Sequence, residues 1–92
     1  MMIEMDLEDY LEEVKFQMTE WDKLTDDMIF EWEFKAREWV DKHNSSRIKK
    51  HGENVTLLLK DEDYPQTLAR LYYRAKCDNS EVKYWNDFQL FK

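Results

Sequence analysis

From Leu7 to Val40 the apolar side chains return every three or four residues, and that spacing commits more than a third of the chain to two amphipathic helices. Leu7, Tyr10, Leu11, Val14, Met18 and Trp21 share one face of a first helix predicted over residues 6–21, with Asp6 as N-cap and Asp9 three residues further on. Asp22 to Leu24 leaves room only for a turn. Thr25 then caps a second helix, predicted to run to about residue 42, whose first turn holds Asp26 and Asp27, the acids that a helix dipole favours there. Leu24 and Ile29 are spaced for a hydrophobic staple. Met28, Ile29, Trp32, Ala36, Trp39 and Val40 fall within about 120° of arc, a stripe that must face a core. So short a turn between two helices predicts an antiparallel helical hairpin.

Past His43 to Ser46 the pattern changes. The chain's only glycine, Gly52, lies in His51-Gly52-Glu53-Asn54, between Arg47-Ile48-Lys49-Lys50 and Val55-Thr56-Leu57-Leu58-Leu59, which predicts a small β-hairpin. Pro65, acceptable in a first helical turn, opens a third helix with Leu68, Leu71, Tyr72 and Ala75 on one face, up to about Cys77 and ended by Asp78 and Asn79. The tail after Ser80 reads either as a short helix or as strand around an Asn86-Asp87 turn, and strand is the preferred reading. The expected fold is helix-rich α+β: an N-terminal antiparallel helical hairpin, a small β-hairpin, a third helix and a C-terminal strand or short helix. Residues 1–92 make one domain, small enough that folding buries only about 60 to 65% of the unfolded surface. Fourteen aromatic residues offset this in part, because each large ring removes roughly 150 to 250 Å² from water.

Charge divides the chain in two. Residues 1–41 carry fourteen carboxylates against Lys15, Lys23, Lys35 and Arg37, a net of −10, whereas residues 42–92 carry ten cations against seven acids, a net of +3. Such asymmetry speaks to partners and solubility rather than fold. Seven carboxylates from Glu4 to Glu20 cover about 25 Å of helix at roughly one charge per 3.6 Å, close to the 3.4 Å of a single DNA strand. Carboxylates at that spacing can stand where phosphates would in the basic groove of a nuclease, polymerase or repressor. The alternative is an ordinary solvated acidic face.

Opposite the core stripe of the second helix lie Phe30 and Phe34, flanked by Glu31, Glu38 and Asp41. On the first helix Phe16 points outward among Asp9, Glu12, Glu13 and Glu20, with Glu8 one turn before the like-charged Glu12. Phenylalanines ringed by acid are what a docking face needs, the rings anchoring and the charges steering. The competing expectation is that the basic half, or the tail with Phe88, Leu90 and Phe91, folds over them as a second core layer. The basic stretch Lys42, His43, Arg47, Lys49, Lys50 and His51, with Arg70, Tyr73 and Arg74, mixes cations and aromatic rings, yet net acidity disfavours direct nucleic-acid binding, and pairing of the basic half with the acidic one, within the chain or in a dimer, is the preferred reading.

No chemistry is announced. His43 and His51 have no spaced partners for a triad or a zinc site, and Asp61-Glu62-Asp63 fails as a calcium loop because Pro65 and Gln66 fall where a ligand and the turn glycine belong. No catalytic residue, cofactor or metal is therefore expected. A single cysteine, the absence of a signal-like start and the lack of any ~20-residue apolar run point to a cytoplasmic protein that does not enter membranes, in the host cytoplasm if it is viral. The expected function is that of a small acidic non-enzymatic protein, of the phage anti-defence type in size and charge, which inhibits a nucleic-acid-handling protein through its acidic helical face. The alternative is an interaction subunit or homo-oligomer packing through the apolar side of the helical hairpin.

Overall fold

A computed structural model describes residues 2–20 and 24–88. The order is β1 (Ile3–Asp6), α1 (Leu7–Thr19), α2 (Asp26–Lys42), β2 (Ile48–His51), β3 (Asn54–Leu59), a single 3₁₀ turn (Asp61–Asp63), α3 (Pro65–Asp78) and α4 (Glu81–Asp87). The fold is helix-rich α+β, with the strands forming one antiparallel sheet in the order β1-β3-β2.

α2 follows its sequence signals closely. Thr25 caps it by accepting a hydrogen bond from the Met28 N–H at 3.3 Å, and Ile29, Trp32, Ala36, Trp39 and Val40 are its buried residues. α1 buries Tyr10, Leu11, Val14 and Met18 and ends at Thr19, while Trp21 and Lys23 lie outside the described residues. Two interhelical ion pairs, Glu8 with Arg37 and Lys15 with Glu33, step forward along α1 and backward along α2, so the helices run antiparallel. The closest helical neighbour of α1 is nonetheless α3, and β3 lies against it as well.

The predicted β-hairpin forms with His51 opposite Asn54 across Gly52 and Glu53. Gly52 has φ +61°, a left-handed conformation that costs other residues roughly 1 to 2 kcal/mol. Strand β1 went unforeseen. Ile3 and Met5 alternate with Glu4 and Asp6 over four residues, and β1 acquires its partner only when β3 arrives more than fifty residues later, with Met5 opposite Leu57 and Asp6 opposite Thr56. Asp6 occupies the N-cap position of α1 but makes no side-chain cap bond. The acidic segment is therefore not one continuous helix. Glu4 and Asp6 stand on a strand, and α1 is only about 20 Å long, which removes the even spacing on which the phosphate comparison rested.

Over its described residues the tail is a short helix rather than the preferred strand. Glu81, Tyr84, Trp85 and Phe88 recur at i, i+3, i+4 and i+7, a face the strand reading overlooked, and Phe88 packs edge-on against Trp39 with ring centroids 5.1 Å apart. Trp32 Nε1 donates to the Tyr84 hydroxyl at 2.9 Å, and that hydroxyl donates to the Leu68 carbonyl at 3.3 Å. Burial pushes the Tyr84 phenol well up, so it stays neutral and keeps both bonds. Phe88 thus covers the core side of α2, away from Phe30 and Phe34; Leu90 and Phe91 lie outside the described residues.

Glu81 ties α4 down. Its carboxylate accepts from Lys35 at 2.9 Å, from Lys76 at 3.0 Å and from Trp85 Nε1 at 3.3 Å. Burial raises its pKa, but these three donors outweigh burial and hold it at about 2 against an ordinary 4.5. A depressed carboxylate contributes stability that is full above about pH 4.5 and is lost as pH falls toward 2. Glu81→Gln is expected to flatten the acid dependence of stability in that window, as measured by denaturant titrations at stepped pH. An unchanged acid profile would show that the three bonds do not form in solution.

Candidate partner-binding surface

The outer surface of α1 and α2 is organised by a line of charges along their seam. Arg37 donates twice to Glu8, at 2.8 Å each, and once to Glu33 at 3.2 Å; Lys15 joins Glu33 at 3.2 Å to Glu12 at 3.0 Å. The Arg37 hydrogen bonds hold the Glu8 carboxyl below its ordinary value. Three acids and two cations alternate here, so Glu8 and Glu12 serve the helix pair and are largely neutralised as lures for a basic partner. With Glu8 70% exposed, its pair with Arg37 contributes no more than about 1 kcal/mol.

Other predicted site residues are also drawn inward. Glu31 bonds Lys35 at 3.1 Å and faces the α4 side of α2 rather than the phenylalanine side, and Glu38 pairs with Lys42 one turn on. Asp41 keeps its carboxylate exposed while its carbonyl accepts from Lys50 at 3.1 Å. Asp9 and Glu13 on α1 and Glu20 just past its end are exposed and make no ion pair among the described residues.

Phe16, Phe30 and Phe34 are 59%, 64% and 69% exposed, so the described residues of the basic half do not fold over them. Phe30 and Phe34 sit one turn apart on α2, and Phe34 lines an open groove of about 650 Å³ between α2 and the β-hairpin, with Asp41 beside it and Lys50 and Val55 opposite. A second concavity, about 610 Å³, is walled by Glu4, Met5, Asp6, Asp9, Glu12 and Glu13. The helical wheel missed Glu4 and Asp6 as its members because they stand on a strand; the period-two alternation in Ile3-Glu4-Met5-Asp6 was the available signal.

The predicted basic counterpart disperses. Arg47 is buried and bound to Asp63 at 2.7 Å, and His43 Nδ1 lies 2.7 Å from the Trp39 carbonyl with its ring stacked on the indole at 4.3 Å. Lys49 and His51 remain exposed on β2. Asp63, rejected above as a calcium ligand, instead accepts from Arg47 and from the Lys60 N–H at 3.1 Å. Among the described residues no cluster of three or more His, Cys, Asp or Glu could hold a metal ion. Cys77 is a free, exposed thiol.

The chain matches no protein-family model, no curated protein and no solved structure. No helix among the described residues is long and apolar enough to cross a membrane.

Proposed function

We propose that this chain is a small acidic, non-enzymatic binding protein that docks the outer face of α1 and α2 on a basic surface of a nucleic-acid-handling protein and blocks it. The observation that carries this reading is the exposure of Phe16, Phe30 and Phe34 beside the carboxylates Asp9, Glu13, Glu20 and Asp41, which make no ion pair among the described residues. Isolated exposed apolar residues are ordinary, but three phenylalanines on one pair of helices are the residue type that anchors interfaces, and exposed carboxylates with no ion pair among the described residues are those able to steer a cationic surface. The strict imitation of a phosphate backbone is weakened by the seam that engages Glu8 and Glu12 and by the strand that carries Glu4. Acidic docking around aromatic anchors needs neither.

The same exposure favours a second reading, an interaction subunit or homo-oligomer held by the phenylalanines alone. Salt and charge separate the two. A tagged chain incubated in host lysate and washed at low and at moderate salt should retain a nuclease, polymerase or similar complex only at low salt, and Asp9→Lys with Glu13→Lys and Glu20→Lys should abolish both retention and inhibition of the captured activity. Those side chains make no ion pair among the described residues, so the fold should survive. Retention that ignores both salt and charge reversal would make the protein an apolar interaction subunit.

A further inference from the structure

Among the described residues the sheet has two free edges, and they carry opposite charge. The order β1-β3-β2 leaves β1 and β2 each paired on one side only among the described residues. Asp6 on β1 faces Thr56 on β3, and Thr56 faces Lys49 on β2, so one row across the sheet runs from an acid at one edge to a cation at the other. Glu4 extends the acidic edge opposite Leu58, and His51 extends the other opposite Asn54. Glu4, Asp6, Lys49 and His51 are all exposed, and none makes an ion pair among the described residues. The acidic concavity flanks the β1 edge, with Asp9 and Glu13 on its far wall.

A strand edge offers unpaired N–H and C=O groups to any extended segment, and charged side chains are the usual guard against it. Here the guard acts only between like edges. Two β1 edges would bring Glu4 and Asp6 against their own kind, and two β2 edges would do the same with Lys49. We propose that the β1 edge of one molecule binds the β2 edge of a second copy of this chain, so that Glu4 and Asp6 meet Lys49 and His51 and the sheet continues from one molecule into the next.

The geometry accommodates this. β1 and β2 both run antiparallel to β3 and hence parallel to each other, so addition with all helices on one side makes a parallel β1–β2 pair. The alternation then agrees. Glu4 and Asp6 share the solvent face with Lys49 and His51, while Ile3 and Met5 share the helix face with Ile48 and Lys50, the last placed there by its bond to the Asp41 carbonyl at 3.1 Å. A contact between two different edges is heterologous and generates a ring or an open chain rather than a two-fold dimer.

Sedimentation equilibrium tests this with two variants, Glu4→Lys/Asp6→Lys and Lys49→Glu/His51→Glu, each checked for helix content by circular dichroism. At low salt and millimolar protein the wild-type chain should show at least twice the mass of a single chain and return to a single chain at moderate salt. Each variant alone should remain single, and their equimolar mixture should associate, because one then has two basic edges and the other two acidic ones. A wild-type chain that stays single, a variant that associates as the wild type does, or a mixture that stays single would each overturn the proposal. None of these outcomes depends on Phe16, Phe30 or Phe34.

Discussion

Asp63→Ala is expected to lower stability by about 3 to 5 kcal/mol, read as a fall in melting temperature of roughly 15 °C or more. Asp63 is fully buried in the 3₁₀ turn between β3 and α3, and the guanidinium it binds, Arg47, lies just ahead of β2 with 5% of its surface exposed. Removing the carboxylate takes from the buried Arg47 guanidinium the charge it bonds at 2.7 Å, frees the Lys60 N–H, and loosens the turn whose carbonyl accepts from the Tyr10 hydroxyl at 2.9 Å. Burial pushes the Asp63 carboxyl up while the Lys60 N–H and Arg47 pull it down, which marks a pair maintained against its desolvation cost. For a domain this small the loss is a large part of all its stability. The control is Arg47→Met with Asp63→Leu, which removes both charges together and should recover most of the loss. A single Asp63→Ala variant that melts like the wild type would show that the pair is solvated in solution.

That buried pair was not legible in the sequence, and the reason is general. Arg47 and Asp63 are sixteen residues apart, no periodicity links them, and each sits in a segment that reads as exposed: a basic stretch and an acidic turn. What could be read was local. The Thr25 cap, the apolar stripe of α2, the Gly52 turn and the Pro65 start are each specified by residues within a few positions of one another, and each formed. β1 escaped because four residues with two apolar members do not define a strand until β3 pairs with them. At α4 the sequence left strand and short helix open and strand was preferred because Asn86-Asp87 resembled a turn, while the Glu81-Tyr84-Trp85-Phe88 face depends on Lys35, Lys76 and Trp39 from other helices. In the candidate surface, the wheel placed Phe16, Phe30 and Phe34 outward as found. It could not show that Glu8, Glu12, Glu31 and Glu38 would be engaged by cations, because charges on a helical wheel have no partners until a second helix is beside them.

Replacing Phe16, Phe30 and Phe34 together by alanine is expected to abolish partner binding, a loss of at least 100-fold, while changing stability by no more than about 0.5 kcal/mol per site. The two halves of this expectation have separate physical causes. At 59% to 69% exposure each ring has little burial to lose in the free protein, and alanine has the higher helix propensity, so the helices should hold or gain slightly. Trp32→Ala, one face round on α2 and fully buried, is the opposite case and should cost about 3 to 5 kcal/mol. In a complex the order should reverse, because a phenylalanine taken from water into a partner's pocket would contribute about 2 kcal/mol or more, whereas Trp32 is buried out of reach. Binding by isothermal titration and melting by circular dichroism on the same variants therefore separate anchor from core. If the triple variant loses several kcal/mol of stability, the rings are covered in the free molecule, and the outer face of α1 and α2 is a second core layer rather than a docking surface. If stability holds and binding is lost at every salt concentration, the phenylalanines provide the affinity, and Asp9, Glu13 and Glu20 are left with the rate of approach, which salt alone should then alter.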